Sequence, residues 1–283
     1  MYRAVRRPRG GGCALGGGRL LIALVLAAIA LISYFGSRSF NEVTGENQYV
    51  GITPEQEVSL GLQAAPQMAQ QYGGLHPDEQ AQAQVDQVCS RLLENSDAAD
   101  SEYPFECHLL ADPETINAFA LPGGQVFITA ALYEQLGTEG QLAGVLGHEI
   151  AHVIARHGAE HIAKAQLTQG LTGAAVIAAS DPENPQGGQY AAQMAILIGQ
   201  LVNLKYGRDD ELESDQLGVR FMADAGYDPR SMLRVMEILA DSSEGARPPE
   251  FFSTHPNPEN RLARIEQVIA ETYPNGVPDN LEE

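Results

Sequence analysis

The stretch His148-Glu149-Ile150-Ala151-His152 constrains this chain more than any other. It lies inside a helical pattern, because Leu142, Val145, Leu146, Ile150 and Val153 recur at the spacing of one helix face. Thr138 and Gln141 read as a capping box that opens this helix, and Gly158 is expected to stop or kink it after His157. Four residues along a helix rise about 6 Å and leave both histidines on one face. Two imidazoles so placed can share one divalent ion, and zinc binds such nitrogens at about 2.0–2.1 Å. Glu149 projects beside them, where a carboxylate can take a proton from a water that the ion activates. An ordinary half-buried helix could carry the same residues, so the motif needs a further ligand elsewhere in the chain.

A third histidine in the same helix does not supply it. The longer pattern H-E-x-x-H-x-x-G-x-x-H fails, since position 155 is alanine and position 158 glycine. His157 and His161 fall at the wrong spacing and are expected on the polar helix surface or in local hydrogen bonds. The segment Glu211-Leu212-Glu213-Ser214-Asp215 offers a better candidate, with Glu211 and Asp215 on one helical face. Glu211 can bind the metal. Asp215, one turn on, can accept a hydrogen bond from the far nitrogen of His148 and fix its tautomer. Glu213 is expected to point away into solvent. Taken alone, Asp209 to Asp215 would read as an acidic helix start.

Several separated segments together resemble the zinc metallopeptidase family that includes the CAAX prenyl endopeptidase, HtpX and BepA, the gluzincins with HExxH and ExxxD motifs. Asn41-Glu42-Val43-Thr44-Gly45, Gln48 and Pro54-Glu55-Gln56-Glu57 resemble its N-terminal segment. Asn117-Ala118-Phe119-Ala120-Leu121-Pro122-Gly123-Gly124 and the residues to Thr129 resemble its strand beside the active-site cleft. Gly147 to His152 resembles its metal helix, Glu211 with Asp215 its third-ligand motif, and Ser253-Thr254-His255-Pro256 with Arg261 its late histidine motif. The likeness covers about residues 41–273, and Ser214 stands where the family usually has alanine.

The resemblance implies a mostly helical α+β fold, a zincin-like domain with a small sheet beside the metal helix. It implies one Zn2+ per chain on His148, His152 and Glu211, with Asp215 behind His148. Glu149 would be the general base towards the attacking water and then carry the proton to the leaving amine. His255 would either stabilise the oxyanion or, as in BepA-like relatives, occupy the metal site and keep the enzyme latent. Asn117, Ala118 and Phe119 would line up an extended substrate strand. The implied activity is a zinc metalloendopeptidase acting on unfolded or misassembled proteins in quality control outside the cytoplasm. The rival is a latent or inactive zincin-fold protein that acts as a chaperone-like adaptor in envelope assembly. A chain with no metal at all would require His148 and Glu211 to lie far apart.

The N-terminus reads as a targeting segment. Residues 1–19 hold five arginines and no acid, and Leu20 to Phe35 is a nearly unbroken apolar run of sixteen residues. Such a helix spans about 24 Å, short of a hydrocarbon core of about 30 Å, so an uncleaved anchor and a cleaved signal both remain open, with the anchor preferred. Cys13 precedes the run and is not placed for lipidation. The arginines would stay cytoplasmic, leaving residues 1–36 as the membrane segment and residues 37–283 as one extracytoplasmic, periplasmic domain. A cleaved signal would release that domain to the periplasm.

The whole chain holds 17 basic and 37 acidic residues, so removing the five N-terminal arginines leaves a formal charge of −25. That charge argues against nucleic acid as a partner. Cys89 and Cys107 are eighteen apart and can pair outside the cytoplasm or stay as buried thiols. Helices are predicted from Pro54 and over Pro77 to Glu94, strands over Phe105–Leu110 and Gly124–Thr129, and mostly helix after Thr138. An apolar helical hairpin at about 167–204 is expected to pack on the domain, with a membrane-facing or substrate-gating surface as the alternative. The proline-rich, acidic tail from Tyr273 is expected to be mobile.

Overall fold

In the computed structural model of the chain, residues 14–179, 206–243, 249–256 and 260–283 are described. The second apolar stretch expected at 190–204 lies outside them. The fold is mostly helical α+β. Helix α1 (Ala14–Gly36) leads into a short hairpin of β1 (Arg38–Phe40) and β2 (Asn47–Tyr49). Helix α2 (Pro54–Gln71) starts where predicted: the Thr53 hydroxyl accepts from Gln56 N at 3.4 Å, and Gln56 Oε1 accepts from Thr53 N at 2.9 Å. Helix α3 (Glu79–Glu94) is capped by Asp78.

Three strands follow, β3 (Glu106–Leu110), β4 (Ala118–Leu121) and β5 (Gln125–Thr129). Their order is β3-β5-β4, with β3 parallel and β4 antiparallel to β5. The turn between β4 and β5 needs glycine, because Gly123 has φ +84° and a Cβ there would fall 2.3 Å from Val58 Cα of α2. The Gln82 side chain closes the outer edge of β3, donating to Cys107 O and accepting from Leu109 N, each at 2.8 Å. Cys89 and Cys107 form a disulfide that staples α3 to β3. Among the described residues, nothing pairs with the outer edge of β4, although all four of its residues are buried.

After the one-turn α4 (Ala130–Tyr133) comes α5 (Glu139–Ile154), the helix at the centre of the domain. Thr138 caps it as predicted, but Gln141 Oε1 accepts from Gly137 N rather than from Thr138, so the capping box is only half made. Every residue of α5 except Glu139 and Gln141 is buried, between α3, β4 and two later helices, α7 (Arg208–Asp224) and α8 (Arg230–Ser243). The helix ends at Ile154, three residues short of the expected stop after His157. Arg156 takes φ +57°, and the chain turns into α6 (His157–Ala179). The short α9 (Phe251–Thr254) and then α10 (Arg261–Thr272) complete the layer behind α7.

From about Leu167 onward α6 runs along α1 rather than along the sheet, and a Cβ on Gly170 would meet Ala30 Cβ at 2.8 Å. Among the described residues, no helix is long and apolar enough to cross a membrane. The C-terminal tail is not free as expected. Its last residues return to the domain, where Asp228 N donates to Glu282 O at 2.8 Å, Glu282 N donates to Gly226 O at 3.1 Å, and Arg91 pairs with the Glu282 carboxylate.

Candidate metal centre

Two helices carry the site, and glycine lets them approach. A Cβ on Gly218 of α7 would lie 3.2 Å from His148 N and 3.3 Å from Gly147 C of α5, tighter than most side-chain carbons approach. This contact brings Glu211, two turns earlier on α7, against the histidine face of α5. His148, His152, Glu211 and His255 each present a ligand atom, and all four atoms lie within 4.8 Å of one another. His148 Nε2 and His152 Nε2 are 3.0 Å apart, Glu211 oxygens lie 3.5 and 3.4 Å from them, and His255 Nδ1 is 3.0 Å from Glu211 Oε1. Neighbouring ligands at zinc–nitrogen lengths and tetrahedral angles are about 3.3 Å apart, so the cluster has the dimensions of a zinc site.

The polar atoms left over fit the same reading. Both Glu149 oxygens, Glu211 Oε2 and His255 Nε2 are buried without a hydrogen-bond partner. Such groups are costly to bury unless something polar or charged meets them. His148, His152, Glu149, Glu211 and His255 are all buried almost completely, so the missing partner is not bulk water. One carboxylate and three imidazoles converge on one point, with the Glu149 carboxylate beside His255, a donor set that suits a cation.

The electrostatics agree. Burial pulls His148 down, but its hydrogen bonds to Asp215 and Glu211 outweigh this and push its pKa up to about 9. Burial holds His152 well below the usual imidazole range. Burial would raise Glu211, yet the neighbouring histidines hold its carboxyl well below the carboxylate range, so it is ionised. Burial pushes Glu149 up, against partial relief from His255 and His148. The two glutamates therefore stand in opposite conditions within one cavity, Glu211 ready to ligate and Glu149 ready to hold a proton.

The flanks hold the histidines. Asp215 Oδ1 lies 2.9 Å from His148 Nδ1, as the E-x-x-x-D spacing predicts. Asp215 is itself gripped by Arg261, whose Nε and Nη2 donate to its two oxygens at 2.7 and 2.8 Å. Arg261 Nη1 sits 3.0 Å from Glu211 Oε2 as an ion pair without hydrogen-bond alignment. On the other flank His152 Nδ1 is 2.9 Å from His157 Nδ1, and His157 Nε2 is 2.9 Å from Glu213 Oε2. These two residues depart from their expected places: His157 is buried rather than on the helix surface, and Glu213 turns inward to it. His161 bonds not locally but across to α7, 2.7 Å from Asp210. Tyr206, which carries no motif signal, stacks on the His152 ring at 3.8 Å between centroids.

The N-terminal segment buttresses the end of α5. Asn41 Nδ2 donates to Ile154 O at 2.8 Å, and Gln48 donates to Ala155 O, so two unsatisfied helix-end carbonyls find partners. Asn117, Ala118 and Phe119 lie beside the centre on β4 and the residue before it. Phe119 packs inward on Phe127, with centroids 4.9 Å apart, and Asn117 donates to the Tyr72 hydroxyl at 3.2 Å. A cavity of about 30 Å³ separates this strand from His255 and Tyr206.

This chain belongs to peptidase family M48, whose family model it matches over residues 79–269. It is 33% identical over 190 residues to the beta-barrel assembly-enhancing protease of Escherichia coli, covering 63% of this chain and 37% of that protein. It is also 29% identical over 248 residues to the mitochondrial metalloendopeptidase OMA1 of Schizosaccharomyces pombe, covering 85% of this chain and 69% of the other. Bovine mitochondrial metalloendopeptidase OMA1 is 32% identical over 183 residues, 60% of this chain and 33% of that protein. The chain thus spans little more than a third of the bacterial relative's length.

Proposed function

We propose that this chain is a zinc-dependent metalloendopeptidase, with His148, His152 and Glu211 as the protein ligands of one Zn2+. The observation that carries the reading is the convergence of His148, His152 and Glu211 on one buried point beside an unpartnered Glu149. Bound there, zinc would supply a Lewis acid that makes water a nucleophile near neutral pH and polarises the scissile carbonyl. Glu149 takes the proton from the attacking water and returns it to the leaving amine, a role that its burial-raised pKa suits. The open outer edge of β4, from Asn117 to Phe119 and onward, holds an extended peptide by backbone pairing. Asn117 and Phe119 pair with Thr129 and Phe127 on the other side, so the backbone groups free for the peptide are those of Ala118 and Ala120.

His255 has two roles in this reading. Its Nδ1 stands among the ligand atoms and its Nε2 lies 3.5 Å from Glu149. In that position it would complete a closed, latent centre. Turned towards a bound peptide, the same imidazole would donate to the developing oxyanion. The closed arrangement favours, as a second reading, a latent zincin-fold adaptor that binds misassembled proteins.

We further read residues 37–283 as one peptidase domain held at a membrane by α1 and facing away from the cytoplasm. Support comes from the N-terminal arginines and from the exposed Leu20, Leu21, Ile22, Leu24, Ile29 and Ile32 of α1, an apolar surface unsuited to water. Its substrates would be unfolded or misassembled proteins of that compartment.

The test is cleavage of casein by the zinc-loaded full chain beside Glu149→Gln. The variant is expected to lose about 10²–10⁴-fold in rate. Equal rates would remove Glu149 from its role. No cleavage by the parent, with activity appearing in His255→Ala, would establish latency through His255. Silence in both, with zinc bound, would favour the adaptor.

A further inference from the structure

We infer that His157 and Glu213 are positioning residues for His152, forming an imidazole–carboxylate relay that fixes the tautomer of this ligand. The inference rests on the metal reading given above. It begins with the corner after α5. In an unbroken helix, the residue five beyond His152 would lie about 140° around the axis, far from its ring. Here the helix stops, and Arg156 adopts φ +57°, the only positive φ of a non-glycine residue among those described. That conformation is strained and persists only where its surroundings impose it.

The surroundings do impose it. Arg156 donates through Nε to Glu57 Oε1 at 2.8 Å and through Nη2 to Ile52 O at 2.9 Å, and Tyr103 donates to the same Glu57 at 2.7 Å. Asn41 and Gln48 clamp the last carbonyls of α5, and Tyr49 N donates to Glu160 at the start of α6 at 3.0 Å. Residues from three separate segments thus hold one strained turn. Its local result is to swing His157 back beneath His152.

Proton placement follows from the partners. Glu213 only accepts, so His157 Nε2 carries a hydrogen and donates to it at 2.9 Å. With its hydrogen on Nε2, His157 presents a lone pair at Nδ1, to which His152 Nδ1–H donates at 2.9 Å. Ser214 Oγ lies 3.4 Å from the same Nδ1, on the edge of that contact. His152 is thereby left with its lone pair on Nε2, the atom that faces Glu211 and His148. Asp215 does this for His148 in one contact. Among the described residues, His152 Nδ1 meets no carboxylate directly and is served through an intervening ring. The relay ends at a polar groove of about 470 Å³, lined in part by His157, Glu160, Asp210, Glu213 and Arg264.

The test uses zinc alone as the probe. The full chain is stripped with a chelator and its affinity measured by competition with a chromophoric chelator. His157→Phe, which keeps a ring but no acceptor, is expected to bind zinc about 10–100-fold more weakly, and Glu213→Leu to weaken in the same direction. His157→Asn restores an acceptor near the Nδ1 position and is expected to recover most of the loss. The visible absorption of the Co2+-loaded chain should shift in His157→Phe and return in His157→Asn. If His157→Phe fails to fold, the partly exposed Glu213 position decides the matter. Zinc binding as tight as the parent's in the variants, with or without a lower melting temperature, would overturn the relay. A parent that takes up no zinc would instead overturn the metal reading, and the relay with it.

Discussion

Two pairs of helices in this molecule meet through glycine and end in opposite settings. Helices α5 and α7 touch where Gly147 and Gly218 face each other, and the contact is surrounded by the main apolar core. Helices α1 and α6 touch at Ala30 and Gly170, and most of α1 beyond that contact stays exposed and apolar. The device is the same, a small residue that lets two backbones approach. In the first pair it brings ligands together in a dry interior, where an error of an ångström would cost the site. In the second it joins two surfaces whose remaining apolar area has no protein partner among the described residues. Close packing alone therefore does not make a site. The difference lies in what surrounds the contact and in which side chains sit one and two turns away.

The sharpest way to break this comparison is to remove the charge that stiffens the inner pair. Arg261→Met strands the buried Asp215 carboxylate and should cost about 3–5 kcal/mol in chemical denaturation. It should also move acid unfolding. Burial raises Asp215, but Arg261 and His148 together outweigh burial and hold it below its usual value. A lowered carboxyl contributes stability above its unfolded value of about 3.9 and loses it as pH falls further, so the variant should unfold at a higher pH than the parent. An unchanged acid midpoint would show that Asp215 is held by something else.

A smaller effect is expected at the disulfide that ties α3 to the sheet. Reduction of Cys89–Cys107, which closes a loop of 18 residues, should lower stability by about 3 kcal/mol, read as a shift in the denaturation midpoint. The smallest effects separate the two helix pairs directly. Gly218→Val overpacks the inner contact, where Met232 Cε already lies 2.8 Å from the added carbon, and should cost about 1–3 kcal/mol. Gly170→Val crowds Ala30 in the outer pair and should leave the domain's melting and zinc affinity as they were. Equal losses from both would mean that the outer pair is part of the domain's cooperative unit.

Much of the centre was legible along the chain because its parts obey helical spacing. His148, Glu149 and His152 share one helix, and Glu211 and Asp215 share another one turn apart. The late His255 and Arg261 were recognisable only through the family's motif order. The surface position expected for His157 assumed regular helix through residue 157, whereas the chain turns at Arg156 and sets its buried ring where the partly exposed Glu213 of α7 meets it. A left-handed arginine has no local sequence signature, because what holds it is Glu57, nearly a hundred residues earlier. Tyr206 was invisible for a similar reason, since stacking on His152 is a contact between distant segments. The ordered tail also escaped notice: proline and acid near a terminus ordinarily mean mobility, and only the surface around Gly226 and Arg91 pins it.

The sequence by itself determined the ligand types, their spacing within each helix and the caps that start α2 and α5, because these depend on interactions within a few residues. The tertiary structure decided which nitrogen of each histidine faces the centre, that His255 stands among the candidate ligand atoms, that β4 has an open edge, and that the His157 ring comes against His152. Those features depend on how α5 meets α7 and how the corner at Arg156 is clamped, and such contacts arise only when distant segments pack.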